Sequence, residues 1–420
     1  MTDVQNKRGA ILVIGGGVAG ITAAVEAAET GFPVYLVEKE AYLGGRAVRM
    51  NQYFPKLCPP TCGMEINFKR IKNNPLITYY TMAEVTEIRG EAGNYTVKVT
   101  MKPRYVNERC TACGKCGEVC QTEIPNSFNY GMDRVKAAYL PHEMSFPMRY
   151  VLAPDIVQTE DGKRCQAACA YDAIDLAMVP QTIELKVASV VVATGWEPYD
   201  ALRIDNLGFG KAANVVNNVM VERLAAVNGP TGGRIIRPSD GKEIKSIAFC
   251  QCAGQRDENH LPFCSRVCCL ASLKQAHYVR QQYPDADVYL FYIDLRAMGQ
   301  NEDFLTKIQA DEKVRLIKGK IAKVVEDPST KDIIVEAEAT ASGKVARVQV
   351  DMLVLATGMV PSTAREKIPF TTPHYDEDGF TKDAPGIYGA GCVKRPLDVA
   401  SSVQDATAAA LKAIQSAVGR

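Results

Sequence analysis

Residues 10–38 narrow the possible folds more than any other stretch of this chain. Ala10 to Ile14 reads as a short apolar strand and Gly20 to Thr30 as a helix, and Val34 to Val37 reads as a second strand running into Glu38. Between the first strand and the helix stands Gly15-Gly16-Gly17-Val18-Ala19-Gly20, a G-x-G-x-x-G run. Each part has a physical task in holding a dinucleotide. Gly15 permits the tight turn, Gly17 lets backbone N–H groups close on a pyrophosphate, Gly20 allows the helix to approach the strand, and Glu38 is placed to accept a ribose hydroxyl. A glycine run alone is weak evidence, but one set between strand and helix and followed by the acidic residue is a βαβ dinucleotide unit. Leu43-Gly44-Gly45-Arg46 follows closely, and two later apolar strands, Ser189 to Ala193 and Leu353 to Ala356, end in Thr194-Gly195 and Thr357-Gly358.

A second βαβ frame lies further on, with Ser246 to Ala253 as a buried strand, Ser265 to Gln282 as a helix and Asp287 to Tyr292 as the next strand. Its strand-to-helix connection lacks the glycines that would cradle a nicotinamide pyrophosphate. Four thiols stand there instead: Cys252, Cys264, Cys268 and Cys269. From the residues alone this is an iron–sulfur or a zinc site. The spacing matches no common ferredoxin run or zinc ribbon, and adjacent helical residues such as Cys268 and Cys269 point about 100° apart.

Between residues 106 and 178 the pattern changes character. Cys110, Cys113, Cys116 and Cys120 form C-x2-C-x2-C-x3-C, the ferredoxin run whose fourth cysteine serves the other cluster when two are present. The partner run keeps Cys165 and Cys169, but Thr159 and Gly162 occupy the places of its first two cysteines. One cubane can therefore be completed, by Cys110, Cys113, Cys116 and Cys169, while the other retains only Cys120 and Cys165. Zinc is the alternative for this segment, although zinc sites favour well-separated C-x-x-C pairs.

Composition bounds the partners. Across 420 residues, 49 Lys and Arg stand against 48 Asp and Glu, a net charge of +1 with no basic stripe, which argues against nucleic acid. No apolar run approaches the roughly 18 residues of a membrane span, and Met1 to Arg8 is hydrophilic, without a signal core. The chain is thus expected to be cytoplasmic and non-spanning, and its 14 cysteines to serve as ligands or redox thiols in preference to disulfides. Cys58 and Cys62 read as a redox dithiol, a ligand pair or two buried cysteines, the last being favoured. His142, His260, His277 and His374 are isolated in sequence and suggest no triad or zinc hydrolase.

The two frames, the Gly-Gly-Arg motif and the Thr-Gly strand ends resemble the two-dinucleotide flavoproteins of the thioredoxin-reductase type, which bind FAD at the first fingerprint. Gly386 to Cys392 looks like their second FAD-contacting strand, followed by a helix from Val399 to Gln415 whose N-terminus would face the flavin. Most relatives carry Asp where Cys392 stands. Gln251-Cys252-Ala253-Gly254-Gln255-Arg256-Asp257 with Pro262-Phe263-Cys264-Ser265-Arg266-Val267-Cys268-Cys269 resembles the flavin-containing A subunit of heterodisulfide reductase, as does Glu123-Ile124-Pro125-Asn126 after the ferredoxin run. The resemblance covers nearly the whole chain. Read without an N-terminal extension or a C-terminal ferredoxin domain, the chain is most similar to the A subunit of the quinone-interacting membrane-bound oxidoreductases of sulfate reducers.

That resemblance implies one FAD and two [4Fe–4S] clusters, the second held by Cys252, Cys264, Cys268 and Cys269. It implies flavin contacts from Gly15, Gly17, Val18, Ala19, Gly20, Glu38, Lys39, Gly44, Gly45, Arg46, Val85, Thr194, Gly195, Gly391 and Cys392, and no catalytic side chain. The expected fold is α/β, a thioredoxin reductase-like flavoprotein with an inserted ferredoxin-like α+β domain. An FAD domain of residues 1–105, 179–205 and 365–420 would be interrupted by an insert at 106–178 and by a degenerate nicotinamide-type domain at 206–364. The implied role is electron relay. Its partners would be a haem-containing membrane subunit that oxidises menaquinol, a soluble acceptor such as adenylylsulfate reductase, and a homologous flavin and iron–sulfur subunit, which would leave the chain peripherally membrane-associated. The competing readings are an NAD(P)H-dependent disulfide reductase using Cys58 and Cys62, and a zinc-stabilised scaffold without enzymatic activity.

Overall fold

The strand Ile11–Ile14 lies at the centre of a five-stranded parallel sheet ordered Ile387–Gly389, Ser189–Val192, Ile11–Ile14, Val34–Glu38, Ile77–Thr81. The computed structural model describes residues 9–340, 343–370 and 374–419, so the hydrophilic stretch Met1 to Arg8 falls outside the described residues. The central strand is apolar at every position because both of its faces are covered. Ile11 and Val13 face a core shared with the helices Val18–Glu29 and Val399–Ala417, while Leu12 and Ile14 face the three-stranded antiparallel sheet of Ala83–Glu91, Asn94–Met101 and Gln181–Val187. The small side chains of Ala406, Ala409, Ala410 and Ala413 let the C-terminal helix pack against the first one.

The antiparallel sheet also explains where the chain makes its excursion. Met101, at the end of one strand, pairs directly with Gln181 at the start of another, so the intervening residues leave and return at a single point of the sheet. They form two short ladders, Glu123–Pro125 with Arg134–Lys136 and Ala138–Tyr139 with Val151–Leu152, and two helices, Lys115–Val119 and Glu160–Ala167. Such a mixed α+β unit suits a ferredoxin-like insert.

A seven-stranded sheet forms the second layer, ordered Val215–Asn217, Met352–Thr357, Ser246–Ala253, Asp287–Tyr292, Val314–Glu326, Ile333–Ala339, Lys344–Val350. Its first five strands pair in parallel and the last three antiparallel. The chain crosses between the two large sheets through Trp196–Pro198 and Met359–Pro361, which pair antiparallel as a two-strand bridge. The helix after the second frame begins at Cys268, three residues later than its apolar pattern suggests. Arg266, at φ 66°, breaks helical geometry, and Ser265 is engaged elsewhere: its backbone N–H donates to Gln255 Oε1 and its Oγ accepts the Met359 N–H.

Buried polar groups tie the units together. Lys274 Nζ lies 3.1 Å from Glu222 Oε1 and donates to the Gln52 carbonyl, both side chains being less than a tenth exposed. Glu222 also accepts from Gln275 Nε2, the Asn51 N–H and the Tyr278 hydroxyl. Beside it, the fully buried Arg223 donates to Asn129 of the insert and to the Arg49 carbonyl, its guanidinium 4.6 Å from the Phe128 ring centroid. One helix of the second unit, Asn218–Ala225, thereby grips both the flavin-type unit and the insert.

Candidate functional site

At the first fingerprint, Gly20 sits where a Cβ would lie 1.8 Å from the Gly15 carbonyl oxygen, so its hydrogen is what lets helix and strand meet. Gly17 is different in kind. Its backbone is extended, at φ −74° and ψ −176°, and the nearest atom to a Cβ there is the Gly45 Cα at 3.9 Å. Nothing in the folded chain requires glycine at this position, and the space it leaves open fits the approach of a pyrophosphate to the helix N-terminus. The Gly44-Gly45 turn closes the other side, its Gly44 N–H donating to the Gly16 carbonyl at 2.7 Å. Val18 and Ala19 open the helix.

Glu38 ends its strand buried and accepts N–H bonds from Gly16 at 2.6 Å and Glu40 at 2.8 Å. Burial pushes its carboxyl up to about 7, although those two donors pull the other way. Open space at Gly17 and a buried carboxyl group anchored at the end of the next strand fit an FAD adenosine-pyrophosphate arm. Lys39 pairs loosely with Glu366 at 3.8 Å, and Val85 joins the core between the sheets. Arg46 is committed to protein partners, binding Glu197 and lying 4.9 Å from the Trp196 ring centroid. Thr194 Oγ1 meets Ser362 Oγ at 2.7 Å, and the Gly195 carbonyl accepts the Ser362 N–H. Near the C-terminus the Gly391 N–H donates to Asp405 Oδ2 at 2.9 Å and the Cys392 thiol to the Leu397 carbonyl at 3.2 Å, just ahead of the helix capped by Asp398.

In the insert, Cys110, Cys113, Cys116 and Cys169 line one pocket open to solvent and walled by Val106, Tyr150 and Ile174. Cys169 enters from the second run, after the helix Glu160–Ala167. The sulfurs of Cys110 and Cys169 accept the Ala112 and Ala173 N–H groups at 3.4 and 3.3 Å, and Cys116 accepts that of Gly117. Burial pushes the Cys116 thiol up to about 12, so binding metal there must displace its proton. Cys113 is exposed and opens the pocket's edge to solvent.

Cys120 and Cys165 are held apart from that pocket in the insert's own core, their thiols donating to the Thr122 and Cys116 carbonyls. A cysteine could not stand in place of Gly162 without a shift of backbone. A Cβ on Gly162 would meet the Ile156 carbonyl at 2.5 Å, and the buried Asp161 carboxylate binds the Gln121 and Thr122 N–H groups at 3.1 and 2.7 Å and also Arg164.

In the second unit, Cys252 ends the strand Ser246–Ala253 in a left-handed turn at φ 56°, and Cys268 and Cys269 open the next helix. Each of the four sulfurs accepts an N–H. Cys252 receives the Arg256 guanidinium, Cys264 the Arg266 N–H at 3.3 Å, Cys268 Gln255 Nε2 at 3.1 Å, and Cys269 the Arg296 N–H. Such donors suit thiolates bound to a cluster. Burial raises the thiols of Cys252, to about 11, and of Cys268 and Cys269, and the neighbouring sulfurs add to this as anions, so a cationic centre is what would compensate them. Gln251, one residue before Cys252, is buried with neither amide atom partnered among the described residues. The nicotinamide cradle is absent from this turn, Gly254 being packed against the Tyr199 ring. Among the described residues, no three His, Cys, Asp or Glu are grouped so as to hold a single metal ion. A cubane is broader than an ion and asks for more widely spaced thiolates.

Cys58 is half-buried and Cys62 exposed, at the start of the helix Thr61–Asn73, so the favoured reading of two buried cysteines does not hold for Cys62. His260 Nδ1 meets the Tyr199 hydroxyl at 2.9 Å. His142 stacks on Phe128, its basicity lowered to about 4 by burial and by Arg223 and Arg49. Reasoning from sequence missed Asp161, Gln255 and the Glu222–Lys274 pair. A buried carboxylate or amide carries no spacing signal, and only its neighbours reveal its role.

A family model of FAD-dependent oxidoreductases matches residues 10–71. The chain is 39% identical over 417 residues to the second iron–sulfur A subunit of the CoB–CoM heterodisulfide reductase of Methanopyrus kandleri, covering 96% of this chain and 63% of that protein. It is 38% identical over 421 residues to the A subunit of the ferredoxin:CoB–CoM heterodisulfide reductase of Methanosarcina mazei, covering 96% and 53%. It is 36% identical over 417 residues to the iron–sulfur A subunit of the CoB–CoM heterodisulfide reductase of Methanocaldococcus jannaschii, covering 95% and 63%. The chain thus spans less than two thirds of the length of each of these relatives. In fold it is similar to the thioredoxin reductases of Lactococcus lactis, with a TM-score of 0.53 at 16% identity, and of T. acidophilum, with 0.54 at 15%, each comparison covering 98% of this chain and 100% of the other. No helix among the described residues is long and apolar enough to cross a membrane. Over nearly its whole length the chain is therefore similar to the A subunits of heterodisulfide reductases, and its fold is that of the thioredoxin reductases.

Proposed function

We propose that this chain is the FAD- and iron–sulfur-containing electron-transfer subunit of a multi-subunit oxidoreductase. Cys110, Cys113, Cys116 and Cys169 hold one [4Fe–4S] cluster, and Cys252, Cys264, Cys268 and Cys269 hold a second. The observation that carries this reading is the gathering of the second thiol set, with an N–H donor on every sulfur, in place of the phosphate cradle of a nicotinamide domain. When bound, FAD passes electrons in pairs or singly and a cubane passes them singly, so the two together link a two-electron couple to one-electron carriers.

The residues of the chain bind, orient and shield. Gly17 and Glu38 seat the dinucleotide, and the buried Cys252, Cys268 and Cys269 keep one site dry. Exposed Cys113 leaves the other site open at its rim, as transfer to a docked partner demands. No side chain is assigned as an acid or base.

The relatives' names, which speak of iron–sulfur and ferredoxin-linked subunits, support the role of a relay. The further reading is that, in sulfate reduction, electrons pass between adenylylsulfate reductase and a menaquinol-oxidising, haem-containing membrane subunit, with a homologous flavin and iron–sulfur subunit beside this one. The chain would then sit in the cytoplasm, held at the membrane through its partners.

Anaerobic purification followed by flavin, iron and acid-labile sulfide analysis and EPR tests the core of the proposal. One FAD and roughly eight iron atoms per chain are expected. Zinc without sulfide, or rapid bleaching of the flavin by NADH or NADPH in the isolated chain, would overturn it. Co-purification with a haem-bearing membrane protein, and menaquinol oxidation only in the assembled complex, tests the finer assignment.

A further inference from the structure

Gln255 lies in the connection between the strand Ser246–Ala253 and the helix Cys268–Gln282, yet its side chain is as enclosed as a core residue, 2% exposed, and fully engaged. Its Oε1 accepts the Ser265 N–H at 3.0 Å, and its Nε2 donates to the Ala356 carbonyl at 3.0 Å. A backbone N–H can only donate and a backbone carbonyl can only accept, so these two partners fix which end of the amide is which. Nε2 also lies 3.1 Å from Cys268 Sγ, within reach of its second hydrogen, while Oε1 stands farther from that sulfur, at 3.5 Å. Gly358 makes room for this side chain: a Cβ there would stand 2.5 Å from the Gln255 Cγ.

We propose that Gln255 is a positioning residue that sets the reduction potential of the cluster held by Cys252, Cys264, Cys268 and Cys269, through its N–H bond to the Cys268 sulfur. This rests on the assignment of those four thiolates made above. Adding an electron to a cluster increases the negative charge on its sulfurs, so a donor aimed at one of them favours the reduced form. Arg256 works alongside it on Cys252, but its side chain is partly open to water and paired with Asp294, which weakens its field. Gln255 is the donor that burial leaves unscreened.

The test is a redox titration of the anaerobically purified full chain, followed by EPR, with iron counted in every preparation. Gln255→Leu removes the donor, and the midpoint of this cluster should fall by about 59 mV, a tenfold shift in its oxidised-to-reduced ratio, while the ferredoxin-type signal stays put. Gln255→Glu keeps an acceptor for Ser265 but replaces the donor with a titratable group, so the midpoint should become pH-dependent, falling as pH rises. An unchanged, pH-independent midpoint in variants with full iron overturns the role of Gln255. Loss of this cluster's iron from both variants does so too, since the residue would then be needed only for assembly. If Cys268→Ser loses no iron relative to the unaltered chain, it is the site assignment that fails.

Discussion

Replacing Gly17 by alanine separates what the fold needs from what the ligand needs. The new methyl would meet nothing closer than the Gly45 Cα at 3.9 Å, an ordinary contact, and the extended backbone at φ −74° accepts any residue. The only cost to the chain is a poorer N-cap, about 0.5 to 1 kcal/mol. For a pyrophosphate the same methyl stands where backbone N–H groups must close. Losing one or two charge-assisted hydrogen bonds, each worth about 1.5–3 kcal/mol, weakens binding by at least one to two orders of magnitude. Flavin fluorescence quenching on titration of the flavin-free chain reads the affinity, and urea unfolding followed by circular dichroism reads the stability. Gly20→Ala is the control: its methyl would lie 1.8 Å from the Gly15 oxygen, so the flavin-type unit itself should be disrupted. A Gly17→Ala protein that binds FAD like the unaltered chain would refute the reasoning.

Cys113→Ser should lose roughly four iron atoms and the ferredoxin-type EPR signal, whereas Cys120→Ser, whose thiol is buried away from the pocket, should keep both; equal iron loss in the two would reverse the ligand assignment. Glu38 holds its proton up to about 7 when folded but only to about 4.5 when unfolded. Its contribution to the flavin-free chain is therefore complete below about pH 4.5 and is lost as pH rises through about 7, by roughly 3 kcal/mol. Glu38→Gln should remove that component from urea midpoints compared at pH 5 and pH 8, and an unaltered difference would count against it. FAD affinity of the unaltered chain should instead improve across the same range, because ribose hydroxyls bind the ionised carboxylate better. Lys274→Met leaves Glu222 buried without its cation and should cost about 3–5 kcal/mol, as read by urea unfolding.

Local pattern sufficed for the elements that repeat a known physical rhythm. The strands Ser246–Ala253 and Asp287–Tyr292 fall where their largely apolar runs place them, because the extended runs pack into the middle of a parallel sheet. The helix at Cys268 starts late for a reason no window of sequence contains: Ser265 answers to Gln255 and to Met359, a residue of a distant strand. Spacing grouped the cysteines into sets. The ferredoxin spacing already assigned Cys169 to the first run, but the bonds from the Gln121 and Thr122 N–H groups to Asp161 are visible only when the two halves of the insert face each other.

From its sequence alone this protein is a dinucleotide-binding βαβ chain with two thiol-rich segments, since strand, glycine turn, helix and ferredoxin spacing are properties of neighbouring residues. Only the tertiary structure decided that Gly17 is glycine for a ligand and Gly20 for the fold, that Gln255 turns its N–H toward Cys268, and that one helix ties the second unit to the other two. Those facts depend on residues far apart in the chain meeting across a few ångströms, where burial and hydrogen-bond direction, not order along the chain, determine what each group can do.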